Sequence, residues 1–293
     1  MFKGSIPAVI TPFQKNKEIN FDDLSEHINF LILEGSHGLV SCGTTGESPT
    51  LDHDEHKKVT EKIIKIASSR VPVMAGCGSN STKESIELVK HAKKVGASAV
   101  LLVSPYYNKP TQDGLFMHFS RISDSVPEIP IYLYNIPGRS VVNIEQKTMV
   151  KLSKKKNIIG VKDATSDLGI PLETRNNCGE KFIQLSGEDQ TFLAFLISGG
   201  VGCISVSANI IPKLCSDMFN YWKKGEIKKA MKINFFISSL NKSLFLETSP
   251  APVKFALSLM KRCENVLRLP LVGIKNDTKK IIKKELEQLD LLV

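Results

Sequence analysis

Lys162 closes the run Ile158-Ile-Gly-Val-Lys162, placing an ammonium at the end of a segment that is otherwise uncharged. A lysine is ordinarily solvent-exposed. At the end of a strand covered on both faces it would lose hydration, which favours the free amine, the form that attacks a carbonyl. By the two-residue period of a strand, Lys162 shares a face with Gly160 and Ile158 while Asp163 points the other way. No carboxylate of its own strand then neutralises it, and Gly160 leaves space for a substrate. Tyr134 closes an earlier apolar run, Ile131-Tyr-Leu-Tyr134. On a neighbouring parallel strand, about 4.8 Å away, its phenol would reach the amine and shuttle protons during imine formation. Gly43-Thr44-Thr45-Gly46-Glu47 supplies hydroxyls for a relay, and the amides of a glycine-flanked turn for a carboxylate. Arg139 offers a planar fork for a second carboxylate. Together these groups predict Schiff-base chemistry on a small 2-oxo acid, the imine serving as electron sink while a carbon–carbon bond forms or breaks. Such chemistry implies no cofactor.

Positioning these groups requires a particular scaffold. Short apolar segments recur at 6–11, 38–42, 72–75, 98–103, 131–134, 158–162, 182–186 and 202–206. Each is nearly continuous rather than alternating, the pattern of strands covered on both faces. Amphipathic stretches separate them, such as Leu24, Ile28, Leu31 and Ile32, or Val59, Ile63, Ile66 and Ala67. Asp52 followed by Glu55 reads as a capping box, and Gly35 and Gly96 as helix stops. Eight strand–helix units predict an α/β fold, a (β/α)8 TIM barrel over residues 1–224, followed by a helical extension over 225–293 with helices at 228–244, 252–262 and 276–289. A doubly wound sheet would carry GxGxxG after its first strand, and this sequence does not. In such a barrel the strand ends that bear Thr44, Thr45, Tyr107, Tyr134, Arg139, Lys162, Gly187 and Ile204 form the chemical rim.

Composition narrows the function further. With 42 % hydrophobic and 24 % charged residues in 293, the chain is ordinary globular protein. The net charge is +9, but only six of the 39 basic residues are arginine (Arg70, Arg121, Arg139, Arg175, Arg262 and Arg268), and the lysines are mixed with acids along helices. This argues against nucleic acid as a partner, since such sites favour clustered arginine. Six scattered cysteines without a CxxC pair predict free thiols in a reducing compartment. No run reaches the roughly 18 apolar residues of a membrane span, and Pro7 and Pro12 break the N-terminus, so a cytoplasmic protein without membrane partners is expected. His53 and His56 stand one helical turn apart and suggest half of a metal site, but no third ligand cluster accompanies them. HxxH at a helix start reads instead as solvated surface, and no metal is expected.

Gly43-Thr-Thr-Gly-Glu47, Tyr106-Tyr107, Tyr134-Asn-Ile-Pro137 and Gly160-Val-Lys162-Asp, in this order and at these distances, resemble the dihydrodipicolinate synthase/N-acetylneuraminate lyase family over almost the whole chain. The resemblance implies condensation of pyruvate with L-aspartate 4-semialdehyde, in lysine biosynthesis through diaminopimelate. Lys162 would form the imine, and Tyr134, Thr44 and Tyr107 the proton relay, with Tyr107 lent by a neighbouring subunit. Thr45 would hold the pyruvate carboxylate and Arg139 that of the semialdehyde, while Gly187 and Ile204 would line the pocket. A homotetramer, a dimer of dimers, is implied. Ser48, His53, His56, Asn80, Glu84 and Tyr106 match the pattern of members inhibited by L-lysine, Glu84 meeting the effector's ammonium. Ser140, Ser166 and Ser249-Pro-Ala-Pro depart from the usual pattern. A sister aldolase, such as N-acetylneuraminate lyase or a 2-keto-3-deoxy-sugar-acid aldolase, would share Lys162 and Tyr134. The Thr-Thr pair, Tyr107 and Arg139 favour the synthase, because a short dicarboxylic product calls for a second carboxylate anchor. A keto-acid sensor without turnover, or a phosphate site at Gly199-Gly200, would leave the Lys–Tyr–Thr set unused.

Overall fold

The computed structural model describes residues 1–292. Along the chain run β1 (Gly4–Pro7), α1 (Phe21–Leu33), β2 (Leu39–Ser41), α2 (His53–Ala67), β3 (Val73–Gly76), α3 (Thr82–Lys94), β4 (Ala99–Val103), α4 (Gln112–Ser125), β5 (Ile131–Asn135), the short α5 (Pro137–Ser140), α6 (Gln146–Ser153), β6 (Ile158–Asp163), α7 (Gly169–Cys178), β7 (Ile183–Ser186), α8 (Phe192–Ile197), β8 (Gly202–Ser205), α9 (Pro212–Lys223), α10 (Ile227–Ser243), α11 (Ala251–Leu259) and α12 (Asn276–Gln288). The strand order is β1-β8-β7-β6-β5-β4-β3-β2. Its two end strands are themselves bridged in parallel at Ala8 and Val40, where Val9 N–H donates to the Val40 carbonyl at 3.0 Å. This is the predicted (β/α)8 barrel with C-terminal helices. The first strand lies earlier than expected, because Pro7 ends it and only single contacts continue beyond.

Residues 72–204 form one compact unit and residues 2–71 with 205–292 a second. In the first, the strands pair in parallel with Met74 opposite Ala99, Val100 opposite Ile131, Tyr134 opposite Lys162 and Lys162 opposite Leu185. Their helix-facing side chains, among them Val100, Leu102, Ile131, Leu133 and Val161, pack on Val89, Leu115, Phe119, Ile122, Met149 and Leu152 of the surrounding helices. Each such side chain fully buried contributes about 1.5–3 kcal/mol, which fixes the strands and therefore the rim.

In the second unit, α2 opens with the predicted capping box, Glu55 N–H donating to Asp52 at 2.8 Å and the Glu55 carboxylate accepting the Asp52 N–H at 3.1 Å. Asn20 caps α1 by accepting the N–H groups of Asp22 and Asp23. Gly35 takes a φ of +89° just past α1, a left-handed turn that only glycine adopts without strain. None of the six cysteines is in a disulfide, and all but Cys178 are buried. Among the described residues no helix is long and apolar enough to cross a membrane.

Candidate active site

Lys162 and Tyr134 are register partners at the C-terminal ends of β6 and β5. Both are buried, at 7 % and 6 % exposure, and the Lys162 amine lies over the face of the Tyr134 ring, 4.1 Å from its centroid. The expected pair is thus assembled, the observed contact being with the ring face, an arrangement that attracts an ammonium. One expectation needs correction. The register slips between Ile131, opposite Ile158, and Tyr132, opposite Gly160, so Ile159 is an extra residue on β6. Ile158 therefore joins Val161 on the helix-facing side, while Gly160 and Lys162 face the interior. Gly160 does not leave room for a substrate either. A Cβ there would stand 2.4 Å from the Ile183 carbonyl oxygen and 2.9 Å from Tyr132 Cε1, so its missing side chain admits the neighbouring strand.

The glycine that does make room for the amine is Gly187, immediately after β7. A Cβ on it would lie 3.0 Å from Lys162 Cε and 2.6 Å from Ala164 Cβ. Its N–H donates to the Asp163 carbonyl at 2.6 Å, which locks the two strand ends together. Asp163 itself points away from the amine as expected, accepting the Thr165 N–H at 2.8 Å and the Thr165 hydroxyl at 2.6 Å, and burial raises its carboxyl above the usual range. Ile204 is fully buried on β8, and Arg139 is exposed on α5.

Sequence reasoning missed Glu188. Half-buried beside Gly187, its backbone is tied to the Ser186 hydroxyl at 3.0 Å, and its carboxyl is raised chiefly by burial and then by Asp189. Lys162 and Arg139 both act against that rise, so the amine and the guanidinium share one electrostatic neighbourhood. An acid directly following a rim glycine was the available signal. Ser166, which departs from the family pattern, takes a φ of +63°, a backbone state that explains why glycine suits this position.

Thr44–Gly46 form a single 3-10 turn after β2, with Thr45 buried and Thr44 partly so. The turn closes through Gly46 N–H to the Gly43 carbonyl at 3.0 Å and Glu47 N–H to the Thr44 carbonyl at 3.1 Å. Among the residues assigned to an effector, Ser48 continues this turn, His53 is exposed at the start of α2, and His56 is buried at 7 %. The reading of His53 and His56 together as solvated surface therefore fails for His56, which faces inward on the helix while Cys42 donates to its carbonyl at 3.4 Å. Among the described residues no group of three His, Cys, Asp or Glu side chains is arranged to hold a metal ion. In the other unit, Asn80, Glu84, Tyr106 and Tyr107 gather after β3 and β4. The Asn80 carbonyl accepts from Asn108 at 3.0 Å, and Glu84 accepts the Ser79 hydroxyl at 2.6 Å. Burial first, and then the charge of Glu84, raises the Tyr106 phenol. Tyr107 is 93 % exposed with a φ of +69°, a tyrosine held outward from its own chain.

Comparison with known proteins gives a consistent picture. Residues 1–289 match the dihydrodipicolinate synthetase family. The 4-hydroxy-tetrahydrodipicolinate synthase of Acidiphilium cryptum is 50 % identical over 292 residues, covering all of both chains. A crystal structure of chloride-inhibited dihydrodipicolinate synthase from Acinetobacter baumannii, complexed with pyruvate, superposes with a TM-score of 0.97 at 39 % identity over the whole of both chains. The enzyme from Cyanidioschyzon merolae with lysine bound gives 0.96 at 33 % identity, over 99 % of each chain.

Proposed function

The chain belongs to the dihydrodipicolinate synthetase family, and on that premise we infer that it condenses pyruvate with L-aspartate 4-semialdehyde to 4-hydroxy-tetrahydrodipicolinate. The observation that carries this reading is the buried Lys162 amine on the face of Tyr134, fixed by direct strand register and given room by Gly187. The free amine adds to the pyruvate ketone and water leaves; the resulting protonated imine lets the methyl group lose a proton to the relay, and the enamine so formed attacks the aldehyde carbon through that former methyl carbon, the aldehyde oxygen taking up a proton. Lys162 is regenerated when the amine of the semialdehyde moiety displaces it and closes the ring.

Tyr134 and Thr44 are the proposed relay, with Tyr107 of a neighbouring subunit as third member. Its outward, 93 % exposed position supports that loan. Thr45 is assigned to the pyruvate carboxylate and Arg139 to that of the semialdehyde, with Gly187 and Ile204 as lining. Loan of a tyrosine requires at least a dimer, and a homotetramer of two dimers is the assembly proposed. L-lysine is the proposed effector, at Ser48, His53, His56, Asn80, Glu84 and Tyr106. The lysine-bound relative supports this, as does a Glu84 carboxylate held ready by Ser79. The cytoplasm is the proposed compartment, in agreement with six cysteines outside any disulfide.

The test is borohydride reduction with and without pyruvate, followed by peptide mass mapping. A pyruvate-dependent adduct is expected on Lys162; an adduct on any other lysine would overturn the assignment.

A further inference from the structure

The turn bearing Thr44 and Thr45 ends at Glu47, a residue with no part in the chemistry above. Its side chain is completely buried, and so is that of its partner, Lys254 of α11. One Glu47 oxygen takes the Lys254 ammonium, and the other accepts the Arg268 backbone N–H at 3.2 Å. Lys254 donates further to the Val266 carbonyl at 2.9 Å and lies 4.1 Å from the centroid of Phe13. The Arg268 guanidinium lies on the same ring at 4.4 Å and forks onto Glu55 at 2.6 Å to each oxygen, while also donating to the Thr50 carbonyl at 2.9 Å and the Lys17 carbonyl at 2.8 Å. Apart from Phe13 and Lys17, which follow β1, the network therefore ends on residues after the turn or on the segment that follows α11.

A buried ion pair is a poor source of stability, because desolvation consumes most of its attraction, but it is strongly directional. Burial pulls Lys254 below the ordinary lysine range and the Glu47 charge opposes this, so the ammonium depends on its partner. Glu47 also holds a left-handed backbone, φ +54°, which a non-glycine residue adopts only where its surroundings dictate it. Its N–H closes the turn on Thr44, and Thr11 clamps the Gly46 carbonyl at 2.7 Å from the other side.

We propose that Glu47 and Lys254 are positioning residues, through which α11 and the segment after it set the orientation of the Thr44 and Thr45 hydroxyls. The proposal rests on those threonines serving the pyruvate chemistry. Two other aspects of the sequence then find a use: the glutamate that ends Gly-Thr-Thr-Gly-Glu, and the part of the helical extension that follows Ser249-Pro-Ala-Pro.

The test is the double variant Glu47→Gln/Lys254→Met, which removes both charges at near-constant volume and keeps an acceptor for the Arg268 N–H. Its thermal midpoint is expected to stay near that of the parent while kcat/KM for pyruvate falls 10- to 100-fold, as displacement of a positioned group by about 1 Å entails. Parental kcat and KM in the folded double variant would overturn the proposal. Should that variant not fold, Glu47→Asp, which retains the charge and withdraws it by one methylene, is expected to raise KM for pyruvate several-fold, and an unchanged KM would overturn it. A parent enzyme that forms no pyruvate adduct on Lys162 would instead refute the functional reading beneath it.

Discussion

Replacing Gly187 with alanine tests whether the site depends on the space beside Lys162. The added Cβ would stand 2.6 Å from Ala164 Cβ, 3.0 Å from Lys162 Cε and 3.1 Å from the Asp163 carbonyl oxygen. Carbon atoms in contact settle at about 3.5–4.0 Å, so the overlap is about 1 Å with Ala164 and about half that with the lysine stem. Gly187 cannot swing away, because its N–H is bound to Asp163 at 2.6 Å. The movable partner is the lysine chain, and shifting the proposed nucleophile by up to about 1 Å costs up to about 100-fold in rate, or about 2.7 kcal/mol of barrier. Overpacking adds about 1–3 kcal/mol of instability. At about 2–4 °C per kcal/mol, the melting temperature should fall by several degrees. The assay is single-turnover imine formation with pyruvate, quenched by borohydride and read by intact mass. Adduct should accumulate up to about 100-fold more slowly. Imine formation at the parental rate, with only the melting temperature lowered, would refute the reasoning.

Tyr134→Phe keeps the ring beneath the amine and removes the hydroxyl; kcat should fall about 10²- to 10⁴-fold while the adduct still maps to Lys162, and a kcat within twofold would remove the phenol from the relay. His27 is wholly buried against Asn209 at 3.0 Å, and burial lowers it from 6.5 to about 4. Between those values the unfolded chain takes up a proton that the native one refuses, so this contribution to stability is complete above pH 6.5 and lost on acidification, by up to about 3 kcal/mol. His118, lowered to about 4 by burial, acts in the same direction. Urea midpoints at pH 7 and pH 5 measure the loss, and His27→Gln should flatten part of the slope; an unchanged slope would contradict the assignment. L-lysine should slow borohydride-trapped imine formation as well as turnover, because the proposed effector residue Ser48 continues the Thr44 turn, its N–H reaching the Gly43 carbonyl at 3.4 Å; imine formation at its parental rate while kcat falls would contradict this.

The strands were legible because continuous apolar runs have few other uses, and Lys162 and Tyr134 were legible because each ends such a run. The bulge at Ile159 was not. Two adjacent isoleucines look the same whether one of them is unpaired or not, and only the partner strand shows that Tyr132 has skipped to Gly160. The two glycines beside the amine were likewise indistinguishable in one dimension. What a missing Cβ makes room for is a property of its neighbours, and these proved to be the Ile183 backbone for Gly160 and the Lys162 side chain for Gly187. Lys254 did leave a trace, a single charge among Ala251, Pro252, Val253, Phe255, Ala256 and Leu257, but its partner Glu47 lies 207 residues away.

The amine and the threonine hydroxyls are thus held by different physics. Lys162 stands in a ladder with partners on both sides, Tyr134 and Leu185, and behind it the helix-facing core fixes the strands. Displacing its backbone means parting the sheet, so short of unfolding only its side chain shifts, and only when a direct neighbour such as Gly187 is changed. Thr44 and Thr45 stand on one 3-10 turn whose far end is a buried charge pair, and such a turn moves when the pair is perturbed, without loss of a layer of core. Nucleophilic attack needs one fixed atom, whereas proton transfer proceeds only when several hydroxyls align at once. On the roles proposed for these groups, graded control of the reaction is most accessible at the turn. Substitutions that tune turnover without destroying the fold should concentrate around residues 44–55 and 249–268 rather than along β5 and β6.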